Sequence, residues 1–556
     1  MKSNDMLRKL AAANPRSADI QFYLGLIAAK RDRNPAAIRR YFTKLNALCP
    51  DYPDARAHLY MGIIHYSDER YGEAVTELER FFEIANQNSD PKYDAVYAEA
   101  SNYLHWSKFL DDALRNQVPF SPRAVTGVST RDDEMMPYIT PDGKSMFFLR
   151  QVNVNPKPRT YYARSMEEKQ TKICYSQWKD SSFTIGVVMG EPFNQYIGEG
   201  GVTVTADGND LYYSVMRYTA SGYTNVDIFH THKSDGRWGK TESVSPMVNG
   251  EKTWEAQPSI TADGQYLYFA SNRKGGYGGT DIWRCRRLSD GGWSRPENLG
   301  PAVNTAGNEK SPFIHADGHT LYFASNGWQG FGGYDMYFIN IDDTYRQCPT
   351  NMGLPINGEG DDICFGVTTA GNEGYFAKKD IYLFDLYAAA RPESMRLSSF
   401  TLNDGNGSPI GGTVEVRHGG VSSQYIADSI NGQCQLMLSQ QKDNIVVARS
   451  NGYVPCVVSL RGDEVKRGIP PSRLHIRLQP TAKGGHYPIV GPIEVYADFL
   501  LEHPQMSVCI EAPHAADAKT AYDSLLKLKL RPERLSWRGG TDVGTQRMTI
   551  VEDSTH

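Results

Sequence analysis

Gln257-Pro258-Ser259-Ile260-Thr261-Ala262-Asp263-Gly264, then Leu267-Tyr268-Phe269-Ala270-Ser271-Asn272, then Gly278-Gly279-Thr280-Asp281-Ile282-Trp283 form a phrase that this chain repeats. The next copy reads Ser311-Pro312-Phe313-Ile314-His315-Ala316-Asp317-Gly318, Leu321-Tyr322-Phe323-Ala324-Ser325-Asn326 and Gly332-Gly333-Tyr334-Asp335-Met336-Tyr337. Short apolar runs separated by Gly-rich and Asp-Gly turns, recurring at a fixed period, predict a β-propeller.

Outward from these copies, the Asp-Gly landmarks are Asp142-Gly143, Asp207-Gly208, Asp263-Gly264 and Asp317-Gly318, spaced 65, 56 and 54 residues apart. A fifth, eroded copy carries Phe365-Gly366-Val367-Thr368, Ala370-Gly371, Gly374-Tyr375-Phe376-Ala377 and Asp380-Ile381-Tyr382. Five copies imply five blades, and a sixth assembled from degenerate flanks stays open. Asp-Gly between two strands suits a type I′ hairpin turn, in which both central residues take positive φ. The repeats resemble TolB-type, WD-like propeller repeats over about 250 residues. Asp281 and Asp335 each open the strand after a glycine cluster, as does Asp227. Their expected role is to accept hydrogen bonds from turn amides, since a ligand site does not normally recur in every blade.

The flanks differ in character. In residues 1–115, Tyr23-Leu24-Gly25 and Tyr60-Met61-Gly62 lie 37 positions apart, as do Ala37 and Ala74, and Tyr41 and Leu78. A glycine where two helices touch, followed by a small residue in the next helix, is the tetratricopeptide pattern. Pro50 and Pro53 punctuate the junction, and Tyr93–Leu114 reads as a capping helix. A polar linker, 116–123, leads to the propeller, 124–390. Residues 396–480 read as short strands with turn clusters at Asn403–Gly407 and Ala427–Gln433, and resemble a carboxypeptidase-regulatory-type β-sandwich. Residues 488–556 alternate helix and strand and resemble an OmpA-like C-terminal α+β domain. The expected fold class is therefore multidomain: tetratricopeptide-like helices, an all-β propeller, a β-sandwich and a small α+β domain.

The order of these segments resembles the PorE-like, outer-membrane-associated periplasmic proteins tied to type IX secretion and gliding. That resemblance implies a non-enzymatic adaptor in the periplasm whose partners are envelope proteins and peptidoglycan. The anchoring motif departs from the family. Val508-Cys509-Ile510 runs into Glu511-Ala512-Pro513-His514-Ala515-Ala516-Asp517 with no Gly-His-Thr-Asp, and the stretch that would carry the arginine is missing. Asp517 is left as a stand-in acid without the opposite charge that holds a zwitterionic ligand, so the expectation is against ordinary peptidoglycan binding.

Composition excludes several classes. With 59 basic and 64 acidic residues, net charge −5, nothing favours nucleic acid. No apolar run approaches the roughly 20 residues of a membrane span. Met1–Leu10 lacks a secretory apolar stretch and no lipobox follows, which leaves either a cytoplasmic protein or a processed form of an exported one. Cys49, Cys174, Cys285, Cys348, Cys364, Cys434, Cys456 and Cys509 form no C-x-x-C, and Cys434 with Cys456 is the pair to inspect for a disulfide. There is no Gly-x-Ser-x-Gly, Walker sequence or His-Glu-x-x-His, so neither catalytic residues nor a cofactor are expected. His230 and His232 share a strand face but lack a third candidate ligand, and no metal is expected. The competing expectation is a carbohydrate-active or hydrolytic propeller, which requires two or three carboxylates converging at the channel. Candidate partner-binding positions are the blade loops with Asn272, Arg273 and Tyr277, and with Asn326 and Trp328, because interface energy concentrates in aromatic and Arg residues.

Overall fold

The computed structural model describes residues 9–10, 12–87, 90–154, 168–218, 222, 224–343, 348–540 and 543–553. The chain divides into two compact units, Met1–Val118 with Gly353–Pro355, and Pro119–Met352 with Ile356–His556.

The first unit is built from α1 (Ala18–Ile27), α2 (Pro35–Leu48), α3 (Ala55–Ser67), α4 (Tyr71–Gln87) and α5 (Pro91–Arg115). Ser17, Asn34, Asp54 and Asp90 cap α1, α2, α3 and α5 with side-chain oxygens that accept N-terminal amides. The two motif glycines sit where helices cross. A Cβ on Gly25 would lie 2.6 Å from the Phe42 ring, and one on Gly62 would lie 2.6 Å from Leu78. The first interval is one residue longer than the second, and a π-helical turn at Ala28–Asp32 absorbs the extra residue.

The second unit is mostly β. Five antiparallel sheets follow one another and form a ring, which is a five-bladed propeller. The three main strands of blades 1 to 4 are 134–139, 145–154 and 168–179; 198–204, 210–218 and 224–234; 255–260, 266–271 and 281–286; and 309–314, 320–325 and 335–340. Blade 5 contributes 366–367, 373–378 and 380–385. Its outer strand, Arg123–Ala124, comes from the other end of the domain and pairs with Tyr382 and Leu383. That pairing closes the ring, and no sixth sheet joins it among the described residues. Side chains stitch adjacent inner strands: Thr203 Oγ1 accepts the Ile260 amide at 3.2 Å, and Ser259 Oγ accepts the Ile314 amide at 2.9 Å. Each of the first four inner strands slips register once, between Met135 and Tyr138, Gly200 and Thr203, Ala256 and Ser259, and Lys310 and Phe313. These are β-bulges. Met136, Gly201, Gln257 and Ser311 take left-handed φ there, and Cys364 does so just before the inner strand of blade 5.

Two sheets, one of strands 433–439, 395–403 and 475–477 and one of 421–427, 412–418, 444–449 and 456–460, enclose an apolar core around Leu402, Val416, Leu436 and Val446. All eight cysteines are free thiols, so Cys434 and Cys456 are not joined. The C-terminal segment carries a four-stranded sheet in the order 486–488, 547–553, 506–512, 535–539, together with α6 (Glu494–Glu502) and α7 (Ala515–Lys527). The strand at Leu535–Gly539, parallel to Met506–Ala512, lies where the sequence suggested only a connection.

Candidate functional site

The Asp-Gly turns are not type I′. Only the glycines Gly143, Gly208, Gly264 and Gly318 have positive φ, at 69–80°, while Asp142, Asp207, Asp263 and Asp317 do not. The Gly143 amide donates to the Thr140 carbonyl at 2.8 Å, and the Thr140 amide to the Ser145 carbonyl at 2.9 Å. The loop is thus a four-residue connection built around a type I turn that ends in a left-handed glycine. Its aspartate is the hub: Thr140 Oγ1 donates to Asp142 Oδ1 at 2.6 Å, and the Lys144 amide donates to the same oxygen at 3.0 Å. Asp207 and Asp263 repeat both bonds. In blade 4 a histidine replaces the threonine. Asp317 instead takes the amides of His319 and Thr320, and Thr320 Oγ1 at 2.7 Å.

Two of these turns also hold the sandwich. Asp263 Oδ2 accepts the Gln424 amide at 3.0 Å, and Asp317 Oδ2 accepts the Glu393 amide at 3.1 Å. Burial pushes the Asp263 carboxyl up. Burial would raise Asp317 too, but the flanking His315 and His319 outweigh it and hold this carboxyl far below its usual range. Glu393 is likewise brought down to about 2, because His418, Lys442 and Ser439 overcome its desolvation. The turns of Asp142 and Asp207 are not covered in this way; they line an open cleft of about 1510 Å³ between the propeller and the sandwich.

Asp281 and Asp335 lie at the opposite end of their blades. Asp281 accepts the Tyr277 amide at 2.6 Å, the Gly278 amide at 3.0 Å and Asn298 Nδ2 at 2.7 Å. Asp335 accepts the Phe331 amide at 2.9 Å and the Gly332 amide at 3.5 Å, while its buried Oδ1 makes no hydrogen bond of good geometry. Burial lifts the Asp335 carboxyl to about 6.

A second repeated device was missed in the sequence. Asn194, Asn249, Asn304 and Asn357 each clasp the third strand of the preceding blade repeat through its backbone. Asn304 Oδ1 accepts the Ile282 amide at 2.7 Å, and its Nδ2 donates to the Ile282 carbonyl at 3.0 Å. Asn194, Asn249 and Asn357 do the same at Ile173, Ile228 and Met336. Five or six residues later comes an acid, Glu199, Glu255, Glu309 or Asp362, that accepts the amides of the same loop. The Asn-to-acid spacing was present in the sequence as a periodic signal.

The loop candidates separate. Arg273 is largely buried: it bonds Ser271, the Val248 carbonyl and Glu255, and stacks near Phe269 and Trp283. Trp328 is half-buried and donates Nε1–H to the Val303 carbonyl at 2.9 Å. Asn272 and Asn326 use Oδ1 to accept the amides of Trp254 and Asn308, each at 2.8 Å. Tyr277 is exposed.

The propeller axis holds a narrow cavity of about 60 Å³ lined by Met136, Tyr138, Gln257, Pro258, Pro312 and Phe365 among others, with no carboxylate in its lining. His230 and His232 do meet a third group. Asp210 Oδ1 lies 2.7 Å from His230 Nε2 and 3.0 Å from His232 Nδ1, and acts as a shared acceptor. Among the described residues, no group of three or more His, Cys, Asp or Glu is arranged to hold a metal ion. Asp517 is exposed in the first turn of α7, where a bond to Gln546 uses its backbone carbonyl. The buried acid of that domain is Glu511, which accepts from Arg547 Nε at 2.7 Å and Thr549 Oγ1 at 3.0 Å.

No family model matches the chain, and no curated protein matches it in sequence. Among solved structures, TolB from Acinetobacter baumannii is 16% identical over 46% of this chain and 55% of its own, with a TM-score of 0.28. A puromycin-hydrolysing peptidase of Mycobacterium tuberculosis is 12% identical over 51% and 43%, at 0.28. A thermostable family-43 glycoside hydrolase is 11% identical over 54% and 96%, at 0.30. The chain thus spans about half the length of the first two. At these TM-scores the likeness carries no argument about fold or activity, and the propeller rests on the strand order and ring closure above.

Proposed function

We propose that this chain is a non-enzymatic scaffold of the bacterial envelope, periplasmic and outer-membrane-associated, that gathers protein partners of a secretion apparatus. The observation that supports a holding role is the use of the repeated carboxylates. Asp142, Asp207, Asp263, Asp317, Asp281, Asp335, Glu199, Glu255 and Glu309 all accept hydrogen bonds from turns and neighbouring loops. A glycosidase instead needs two carboxyls facing a sugar across about 5–10 Å, and the axial cavity offers neither the acids nor the room. The tetratricopeptide-like helices, regulatory-type sandwich and OmpA-like domain extend the same reading, each being a binding module in the proteins they resemble.

The test is fractionation of the native host combined with turnover assays on the full chain. Recovery with the outer membrane and no hydrolysis of glycan or peptide substrates is expected. Sustained turnover, or recovery in the cytosol alone, overturns the proposal. A cell-wall anchor at Asp517 is the weaker reading, and retention of the full chain on diaminopimelate-containing peptidoglycan would restore it.

A further inference from the structure

The repeat provides an internal control, because equivalent positions in different blades meet the same structural demand. At the end of the propeller away from the sandwich, blades 2 and 3 break the pattern in one direction. Met216 occupies the position held by Asn272 in blade 3 and Asn326 in blade 4, as pairing of the preceding residues Val215, Ser271 and Ser325 with Asp227, Asp281 and Asp335 shows. Trp254 precedes the inner-strand acid Glu255 where blades 2 and 4 have Gly198 and Asn308. Its amide makes the same 2.8 Å bond to an asparagine that the Asn308 amide makes. Met247, two residues before the clasping Asn249, stands where the equivalents are Pro192 and Ala302. Ile197 stands where blade 4 has Gly307.

None of these replacements fills a core. Ile197 is 45% exposed, Met216 37%, Met247 50% and Trp254 41%, and Tyr277 in the adjoining loop is 53% exposed. Packing therefore does not account for them. They fall in two groups on neighbouring blades: Met216 pairs with Gly198, next to Ile197, in blade 2, while at blade 3 the Val248 carbonyl beside Met247 is held by Arg273 and Asn272 of the Tyr277 loop holds Trp254. Methionines among aromatic side chains make adaptable, energetically productive contacts. The charge around them is uneven. Lys252, two residues from Trp254, and Lys274, in the loop of Tyr277, are exposed and, among the described residues, neither ammonium meets a carboxylate, while Arg217 is already held by Asp227.

Resting on the scaffold reading, we propose that Ile197, Met216, Met247, Trp254 and Tyr277 form the docking surface for a segment of another protein that presents apolar or aromatic anchors beside carboxylates.

The experiment selects displayed 12-residue peptides on the full chain. A selected peptide, labelled, is then titrated against the wild type and against a triple variant carrying Met216→Asn, Met247→Ala and Trp254→Asn. Each change installs the residue that blade 4 uses at that position, so the melting temperature is expected to hold, and this is checked first. The expected result is enrichment of peptides combining Asp or Glu with large apolar residues. Their affinity should fall at least about tenfold in the triple variant, and fall again in Lys252→Glu with Lys274→Glu. Absence of such peptides, or equal affinity for the variant, overturns the proposal. So does a concentration-dependent dimer that the triple variant abolishes, which would assign the surface to a second copy. The scaffold reading fails by a different measurement, substrate turnover, and survives if binding maps elsewhere on the chain.

Discussion

Blades 3 and 4 carry nearly the same phrase, yet they fill the space behind the inner-strand acid differently. In blade 3 a guanidinium enters: Arg273 bridges Glu255, Ser271 and the Val248 carbonyl. In blade 4 an indole does so: Trp328 donates to the equivalent Val303 carbonyl, and Glu309 is satisfied by Thr305 and Ser325. Blade 1 offers a third solution, with Arg150 on Glu134 and the Val128 carbonyl. The conserved demand is a donor for a loop carbonyl beside a buried acid, and the repeat specifies that demand without specifying the residue. The arginine and the tryptophan read as candidate anchors are therefore both committed to holding a loop carbonyl.

The contrast predicts unequal damage. Arg273→Ala strands Glu255 in the interior without its cation and should cost about 3–5 kcal/mol, read as a drop in denaturation midpoint; a loss under 1 kcal/mol would make Arg273 an ornament. Trp328→Ala removes a half-buried ring and one hydrogen bond but no countercharge. About 2–3 kcal/mol is expected, and a loss equal to that of Arg273→Ala would erase the distinction.

The strand-opening acids differ in the same way, and pH separates them. Asp335 has its folded-state pKa raised to about 6, above the roughly 3.9 of an unfolded aspartate. The native state therefore binds the proton more tightly, and this stabilisation is lost as pH rises from about 4 through 6. Thermal melts should show Asp335→Asn flattening the pH 4–6 dependence, and an unchanged slope would disprove the assignment. The smallest effect expected is that of Asn272→Ala or Asn326→Ala. Each loses one loop-to-loop bond, about 1 kcal/mol, and equal values for the two would confirm that they do the same work in both blades.

The propeller was legible because its glycines and aspartates are imposed by backbone geometry. Gly264 must take positive φ whatever its neighbours are, so the residue survives in every copy. The turn type was misjudged because Asp263 acts through its side chain, not through its own φ, and a dipeptide alone does not distinguish these. Asn304 and Glu309 escaped notice because their partners lie in other strands and no local propensity marks them. The roles of Arg273 and Trp328 were beyond sequence reasoning for the same reason: exposure depends on what the adjacent loop places over them. The short strand Leu535–Gly539 was hidden because Ser536, Trp537 and Arg538 are all exposed and leave no alternating apolar face.

The seam between Arg123–Ala124 and the fifth blade has a consequence for biosynthesis. Arg123 and its ion-pair partner Glu373 are 250 residues apart. At ribosomal speeds of about 5–20 residues per second, the first strand is made on the order of 10–50 s before the edge it completes exists. Over that interval the blades accumulate one by one as an open arc, and Arg123–Ala124 has no strand to pair with until residues 380–385 arrive.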